Sequence, residues 1–354
     1  MTGSGEDEVL FHRQDRAGVI TLNRPGALNA LTLNMVRRMD RVLRDWAGDD
    51  AVERVIIQAA PGRAFCAGGD IRAIYDWGRA GDPDLLRFYF EEYRLNRLIK
   101  RYPKPYIAMI DGIVMGGGVG VSVHGSHRVV SSESLFAMPE TGIGFFPDVG
   151  GSYFLPRCPG QSGLFLGLTG TRIKPADMLW AGIATHLVPS AGFDELTAEL
   201  AGADDVEAVL AARRDTTDPT SNLSTVTDEI DEFFSGENLE AILHGLVASA
   251  SEFGQKTAHA LVSKSPTSLG VVFRQLTEGR ALDFEACMKL EFRLVSRFVA
   301  GHDLYEGIRA VVIDKDGAPK WRPAKLEEVT PEAVAAYFAP LDEELTFIDL
   351  SELG

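Results

Sequence analysis

The chain has 354 residues, of which 45% are apolar and 24% charged. That composition supports a substantial packed core and excludes fibrous and disordered classes. Lys plus Arg number 35 against 51 Asp plus Glu, a net charge of −16, so the surface repels nucleic acid and anionic lipid and neither is expected as a partner.

An anionic ligand must then be held by local basic side chains or backbone amides. The cysteines Cys66, Cys158 and Cys287 have no metal-like spacing and cannot all pair with one another, which points to a reducing compartment. The first ten residues, MTGSGEDEVL, are acidic and polar, unlike a secretory signal or an Arg-rich transit peptide. No apolar run approaches the ~20 residues needed to cross a bilayer. A soluble, cytoplasmic protein is expected.

Residues 9–12 and 18–23 are strand-like, and the turn signal at 15–18 predicts a hairpin between them. Thr32 is a helix cap ahead of Val36, Met39, Leu43 and Trp46, which share one helical face. Arg54–Ala59 is too apolar at Val55-Ile56-Ile57 for a one-sided strand and is expected to be buried. A loop at 61–70 leads into a helical stretch carrying Glu91, Glu92 and Asn96. Tyr106–Ile110 is a second buried strand, running into Gly112 and the triplet Gly116-Gly117-Gly118. Val129-Val130 and Leu135–Ala137 follow as short strands. Repeated strand-then-helix units predict an α/β core over 1–195. From 196 to 354 helical periodicity dominates at 238–250, 255–264 and 282–299. The acidic stretch 201–237 is expected as a surface connection with one short helix.

Three segments carry candidate chemistry. The first, at 65–72, is Phe-Cys-Ala-Gly-Gly-Asp-Ile-Arg, where Gly68 and Gly69 allow backbone to approach a ligand and present an amide. The alternative is a tight turn with Asp70 capping the next helix, and spacing alone favours it. The second is the glycine-dense run 112–120. Each helical Gly costs roughly 1 kcal/mol relative to Ala, so either helix-terminal amides facing an anion or close helix-to-strand packing must offset it. No dinucleotide fingerprint or phosphate loop fits anywhere in the chain. The third is 138–151, where Glu140 and Asp148 stand among apolar, Gly and Pro neighbours. Such surroundings raise carboxyl pKa values and suit an acid/base or nucleophile pair. The alternative makes Asp148 a helix cap and Glu140 a solvated loop residue.

Other patterns are weaker. Ser122 imitates a nucleophile elbow, but His124 replaces the final glycine and Ser122 falls inside a predicted helix. His124 and His127 lack a third metal ligand at suitable spacing, so they are expected to be structural and no metal is expected. Glu91-Glu92 reads by itself as a solvated helix face.

Together these segments resemble the crotonase (enoyl-CoA hydratase/isomerase) superfamily. The resemblance runs through 65–72, 115–124, 135–151, 181–186, 265–269, 301–303, 306–310 and 313–316, and the segment 138–151 and the late blocks are similar to its thioester-hydrolase branch. It implies an α/β spiral of repeated ββα units with a helical C-terminal region, assembled as a homo-oligomer, a trimer or hexamer. It implies that the amides of Gly69 and Gly117 form an oxyanion hole and that Ala67 meets the adenine of CoA through its backbone. Gly68, Asp70, Ile71 and Gly116 are neighbouring substrate-binding positions. Glu140 and Asp148 match catalytic carboxylates, and Glu92 matches a substrate-contacting glutamate. Hydratases of the superfamily carry a second catalytic glutamate at the position of Gly120, so hydration should be impaired here.

The expected activity is hydrolysis of a short branched β-hydroxyacyl-CoA, 3-hydroxyisobutyryl-CoA in valine breakdown, with no cofactor beyond the CoA of the substrate. A hydratase or isomerase of the same fold, or a non-catalytic acyl-CoA-binding protein, are the alternatives. Arg24, Arg63 and Arg72 are candidate partners for the CoA phosphates, a solvated face being the alternative.

Overall fold

The computed structural model describes residues 7–217 and 219–349; the first six residues of the acidic N-terminal stretch lie outside the described residues. The chain opens with the expected hairpin, β1 (Val9–Gln14) antiparallel to β2 (Ala17–Leu22). Thr32 caps α1 (Leu33–Ala47), its hydroxyl accepting from the Met35 amide at 3.2 Å, and the buried face holds Val36, Met39, Leu43 and Trp46 as the spacing predicts.

Thereafter the chain contributes strands in pairs. β3 (Arg54–Ala59), β5 (Tyr106–Ile110) and β7 (His127–Ser131) extend the large sheet, while β4 (Ala64–Cys66), β6 (Ile113–Met115) and β8 (Leu135–Ala137) build a small one. With β9 (His186–Val188) the large sheet runs β1-β2-β3-β5-β7-β9, parallel from β2 onward, and the small sheet runs β4-β6-β8, also parallel. Each turn of the chain therefore lays one strand on each sheet, the expected spiral of ββα units.

The apolar runs are explained by burial on both faces of the large sheet. Val55 and Ile57 pack into the main core, whereas Ile56 between them faces a smaller core with Ile107, Met109 and Val129. Phe193, Leu196 and Leu200 of the helix Phe193–Gly202 close that smaller core.

Two expectations are corrected. Residues 201–237 hold three helices, Val206–Arg213, Asn222–Thr225 and Thr227–Phe234, instead of one. Each is short and anchored by only one or two buried side chains, such as Leu210, Leu223, Ile230 and Phe234, too few to leave a readable period. The helix after β6 is a single turn, α4 (Gly117–Gly120), so Ser122 lies beyond it. Ser122 is buried with its hydroxyl donating to the Gly118 carbonyl at 2.7 Å, a local structural bond and no elbow.

The C-terminal helices Pro266–Gly279, Phe284–Phe298 and Asp303–Ile308 pack against the segment that follows β8. Ser265 ties them in, its amide donating to the Thr141 carbonyl at 3.2 Å and its hydroxyl to Asp303 Oδ2 at 2.6 Å. Among the described residues no helix is long and apolar enough to cross a membrane, and no group of three His, Cys, Asp or Glu could hold a metal ion.

Candidate active site

Strand order builds the site. Because β4, β6 and β8 are parallel neighbours, the three candidate segments leave their carboxyl ends side by side, where ligands collect in parallel α/β sheets. After β4 come Ala67, Gly68 and Gly69; after β6 come Gly116 and Gly117; after β8 comes the turn Glu140–Ile143. They line a cavity of about 350 Å³, which α2 (Ile71–Ala80), α3 (Asp84–Lys100) and the C-terminal helices enclose with Ile74, Phe88, Tyr89, Leu304 and Ile308, joined by Phe145 from the loop after the turn.

The two glycine turns touch. Gly68 has φ +123° and Gly116 φ +46°, conformations that a side chain would strain. A Cβ on Gly117 would stand 3.2 Å from the Gly69 nitrogen, and one on Gly68 would stand 3.9 Å from the Gly117 nitrogen. Among the described residues no backbone carbonyl accepts from either amide. Glycine elsewhere in this run serves packing: a Cβ on Gly118 would meet the Cys66 carbonyl oxygen at 2.3 Å, and one on Gly120 would meet Asn96 Nδ2 and the Val149 Cβ at 2.7 Å. The packing reading of the glycine-dense run is thus realised at Gly118 and Gly120.

Three carboxyl side chains surround this junction, and all are buried: Glu92 is 2% exposed, Glu140 6% and Asp148 5%. Glu140 Oε1 lies 3.3 Å from where a Cβ on Gly116 would be, and Glu92 Oε1 lies 2.6 Å from the same construction on Gly117. Asp148 Oδ2 accepts a 3.0 Å hydrogen bond from the Tyr93 hydroxyl. Glu92 Oε1 and Glu140 Oε2 have no protein partner among the described residues. Burial drives Glu92 and Glu140 well above the ordinary carboxylate range, and the charge of Asp148 adds to both. Asp148 itself is pushed up to about 7 by burial, against the Tyr93 hydroxyl, which favours its ionised form. Carboxyls crowded into one dry site cannot all ionise, and Asp148, with its hydroxyl donor, carries charge most readily.

The cavity gathers Ala67, Gly68, Gly69, Ile71, Glu92, Gly116, Gly117, Glu140 and Asp148. Glu140 is therefore no solvated loop residue, and Glu92 leaves its neighbour Glu91 on the surface paired with Arg37. Asp70 is the exception. It does not line the cavity; it caps α2, accepting from the Ala73 amide, and pairs with Arg24 at 3.0 Å. Arg24 is further engaged by Glu8 and by the Ala30 carbonyl, which commits it to the protein. Arg63 and Arg72 do not line the cavity; its cations are Arg172 and Lys264. His124 is satisfied by the Val149 carbonyl at 2.7 Å, and His127 by Ser126 and Glu207.

Sequence reasoning passed over Tyr93, Lys264 and the apolar wall from the C-terminal helices. Tyr93 carries no local signal, because its partner is Asp148, on another element. Lys264 stands immediately before the Ser-Pro-Thr-Ser-Leu block, and burial lowers its pKa.

Paired parallel sheets whose aligned ends carry two touching glycine turns and buried carboxyls define the crotonase class of acyl-CoA sites. A profile of the enoyl-CoA hydratase/isomerase family matches residues 17–338, and the chain belongs to that family. Among curated relatives it is similar to the mitochondrial 3-hydroxyisobutyryl-CoA hydrolase of Danio rerio, 47% identical over 97% of this chain and 92% of that protein. The corresponding Homo sapiens protein is 44% identical over 95% of this chain and 89% of its own length. Two solved structures are also similar. One, described as a carnitinyl-CoA dehydratase from Mycobacterium thermoresistibile, has a TM-score of 0.92 at 44% identity, covering 96% of this chain and 98% of that one. The other, described as an enoyl-CoA hydratase from Rhodobacter sphaeroides 2.4.1, has a TM-score of 0.90 at 42% identity, covering 96% and 100%.

Proposed function

We propose that the protein hydrolyses 3-hydroxyisobutyryl-CoA to 3-hydroxyisobutyrate and CoA, a step of valine breakdown. The observation that carries this reading is the pair Glu140 and Asp148, both buried and both lining the cavity that the two glycine turns also line. The position of a second hydratase glutamate is Gly120, where Asn96 and Val149 leave no space for a side chain. This weighs against hydration, although the two similar solved structures are described as a dehydratase and a hydratase.

In the proposed mechanism the thioester carbonyl oxygen is received by the amides of Gly69 and Gly117. Negative charge develops there in the tetrahedral intermediate, and preorganised donors in a water-poor site stabilise it. Glu140, beside Gly116, delivers the attack on the carbonyl carbon, by drawing a proton from water or by direct addition to give a mixed anhydride. Asp148, held by Tyr93, orients water or the substrate hydroxyl and keeps the pair's protonation unequal. Collapse of the intermediate breaks the C–S bond, and the thiolate takes up the proton that Glu140 drew from water. On the anhydride route it takes up the proton released when water then cleaves the anhydride to free Glu140 and the acid. Glu92 accepts a hydrogen bond from the substrate hydroxyl. A homo-oligomer and a cytoplasmic setting belong to the same proposal. The three buried free cysteines support a reducing compartment, whereas the named relatives are mitochondrial, and light scattering and cell fractionation test these two points.

The deciding experiment measures free-thiol release from several acyl-CoAs alongside hydration of crotonyl-CoA. Thiol release from 3-hydroxyisobutyryl-CoA without crotonyl-CoA hydration is expected. The reverse pattern establishes a hydratase, and binding without turnover a non-catalytic acyl-CoA binder.

A further inference from the structure

The turn that presents Asp148 is held from behind by buried polar groups that never reach the cavity. Val149 stands at φ +50°, a conformation unusual for a β-branched residue, and it directly follows the carboxylate. Glu291, on the helix Phe284–Phe298, is fully buried and accepts from both the Gly150 and Ser152 amides at 2.8 Å, one on each carboxylate oxygen. The His124 ring donates from Nε2 to the Val149 carbonyl at 2.7 Å. Gln275 donates to the Pro147 carbonyl at 2.7 Å and to Ser152 Oγ at 2.8 Å. The Pro147–Asp148 and Val149–Gly150 peptides are thus held by side chains from outside the turn, while the Asp148 carbonyl between them accepts from the Gly151 amide at 2.8 Å.

A carboxylate buried without a cation needs a reason. Glu291 accepts two N–H groups that would otherwise be orphaned, and these are the two that set the path of the chain just after Asp148. We propose that Glu291, seconded by His124, is a positioning residue that holds the Asp148 turn in its strained conformation and so aims the Asp148 carboxylate at the thioester. This rests on the hydrolase reading above and goes beyond it, since neither residue lines the cavity.

The test uses the full chain with 3-hydroxyisobutyryl-CoA. In Glu291→Gln an amide NH₂ replaces one acceptor and confronts a backbone N–H. Its kcat is expected to fall at least about tenfold, as misplacement of a reacting group does, while KM and the calorimetric Kd of CoA stay within about twofold. His124→Leu is expected to behave likewise, whereas His124→Gln, which keeps an N–H donor, loses under about threefold. Should Glu291→Gln fail to fold, the His124 pair decides. A wild-type kcat per folded molecule in Glu291→Gln, a KM that rises in step with the loss, or equal effects of Leu and Gln at position 124 would overturn the proposal. Crystal structures read it without turnover and so separately from the hydrolase reading: the Tyr93–Asp148 hydrogen bond is expected to break in Glu291→Gln, and its retention overturns the proposal.

Discussion

Tyr93 and Asp148 meet through a 3.0 Å hydrogen bond in which the phenol donates to the carboxylate. Tyr93 comes from a helix packed beside the cavity, and Asp148 from a turn beyond the small sheet. The bond favours the ionised carboxylate at a place where burial opposes charge, so it sets the pH at which the site becomes competent. Asp148 ionises at about 7 and Glu140, which must be ionised to act, is held well above its ordinary range, so hydrolysis should rise with pH along an acid limb set by the pair. Tyr93→Phe removes the donor and should move that limb upward by about one unit. A kcat–pH profile unchanged in the variant would remove this role from Tyr93.

Replacing either carboxylate should abolish most turnover. Glu140→Gln and Asp148→Asn are each expected to lose ~10²–10⁴ in kcat, the range of a positioned acid or base, with circular dichroism unchanged. A folded Glu140→Gln enzyme with near-parental hydrolysis would sink the mechanism. Single turnover in ¹⁸O-water probes the two routes: label in Glu140 supports the anhydride, whereas label only in the released acid favours direct water attack.

The same burial makes folding stability depend on pH. In the folded chain Asp148 keeps its proton to about 7, against an ordinary value of 3.8. Between these values the folded state binds more protons than the unfolded one, so stability falls as pH rises through that window. Asp148→Asn cannot ionise and escapes the loss. Its advantage in urea unfolding should widen by roughly 2 kcal/mol between pH 5 and pH 8. An advantage that shrinks over that interval would contradict the assignment.

Glu92 should discriminate among substrates. Among the described residues its Oε1 has no protein partner, and Glu92 lines the cavity. Glu92→Ala is expected to reduce kcat/KM for hydroxylated acyl-CoAs at least about tenfold more than for plain acyl-CoAs, because only the former lose a hydrogen bond. Equal losses on both classes would make Glu92 a structural residue.

A methyl group at the glycine junction would displace Glu92 and crowd the Gly69 amide. In Gly117→Ala the new Cβ would lie 2.6 Å from Glu92 Oε1 and 3.2 Å from the Gly69 nitrogen. Rate is expected to fall ~10²–10³-fold, as when an oxyanion donor is lost. Full activity in a folded Gly117→Ala enzyme would place the oxyanion elsewhere.

Features governed by neighbours within a few residues were legible in the sequence. Thr32 caps its helix because its hydroxyl reaches an amide three residues on. The 9–23 hairpin follows from a turn between two short apolar strands, and the runs at 54–59 and 106–110 are buried on both faces because they are apolar at consecutive positions. Glu140 and Asp148 could be selected because Gly, Pro and Phe neighbours offer a carboxylate little water. What only the tertiary structure decided depends on which strands become neighbours. The order β4-β6-β8 brings Gly69, Gly117 and Glu140 together, and no local spacing encodes that order. It turns Glu92 inward beside Gly117 while Glu91, one residue away, pairs with Arg37 outside. It gives Asp70 to Arg24 instead of to the cavity, and it supplies Asp148 with Tyr93 and its supporting turn with Glu291. Helix caps, turns and apolar runs act over one to four residues, whereas the charge state of a buried carboxylate is set by whatever the fold packs against it, here from segments more than fifty residues away.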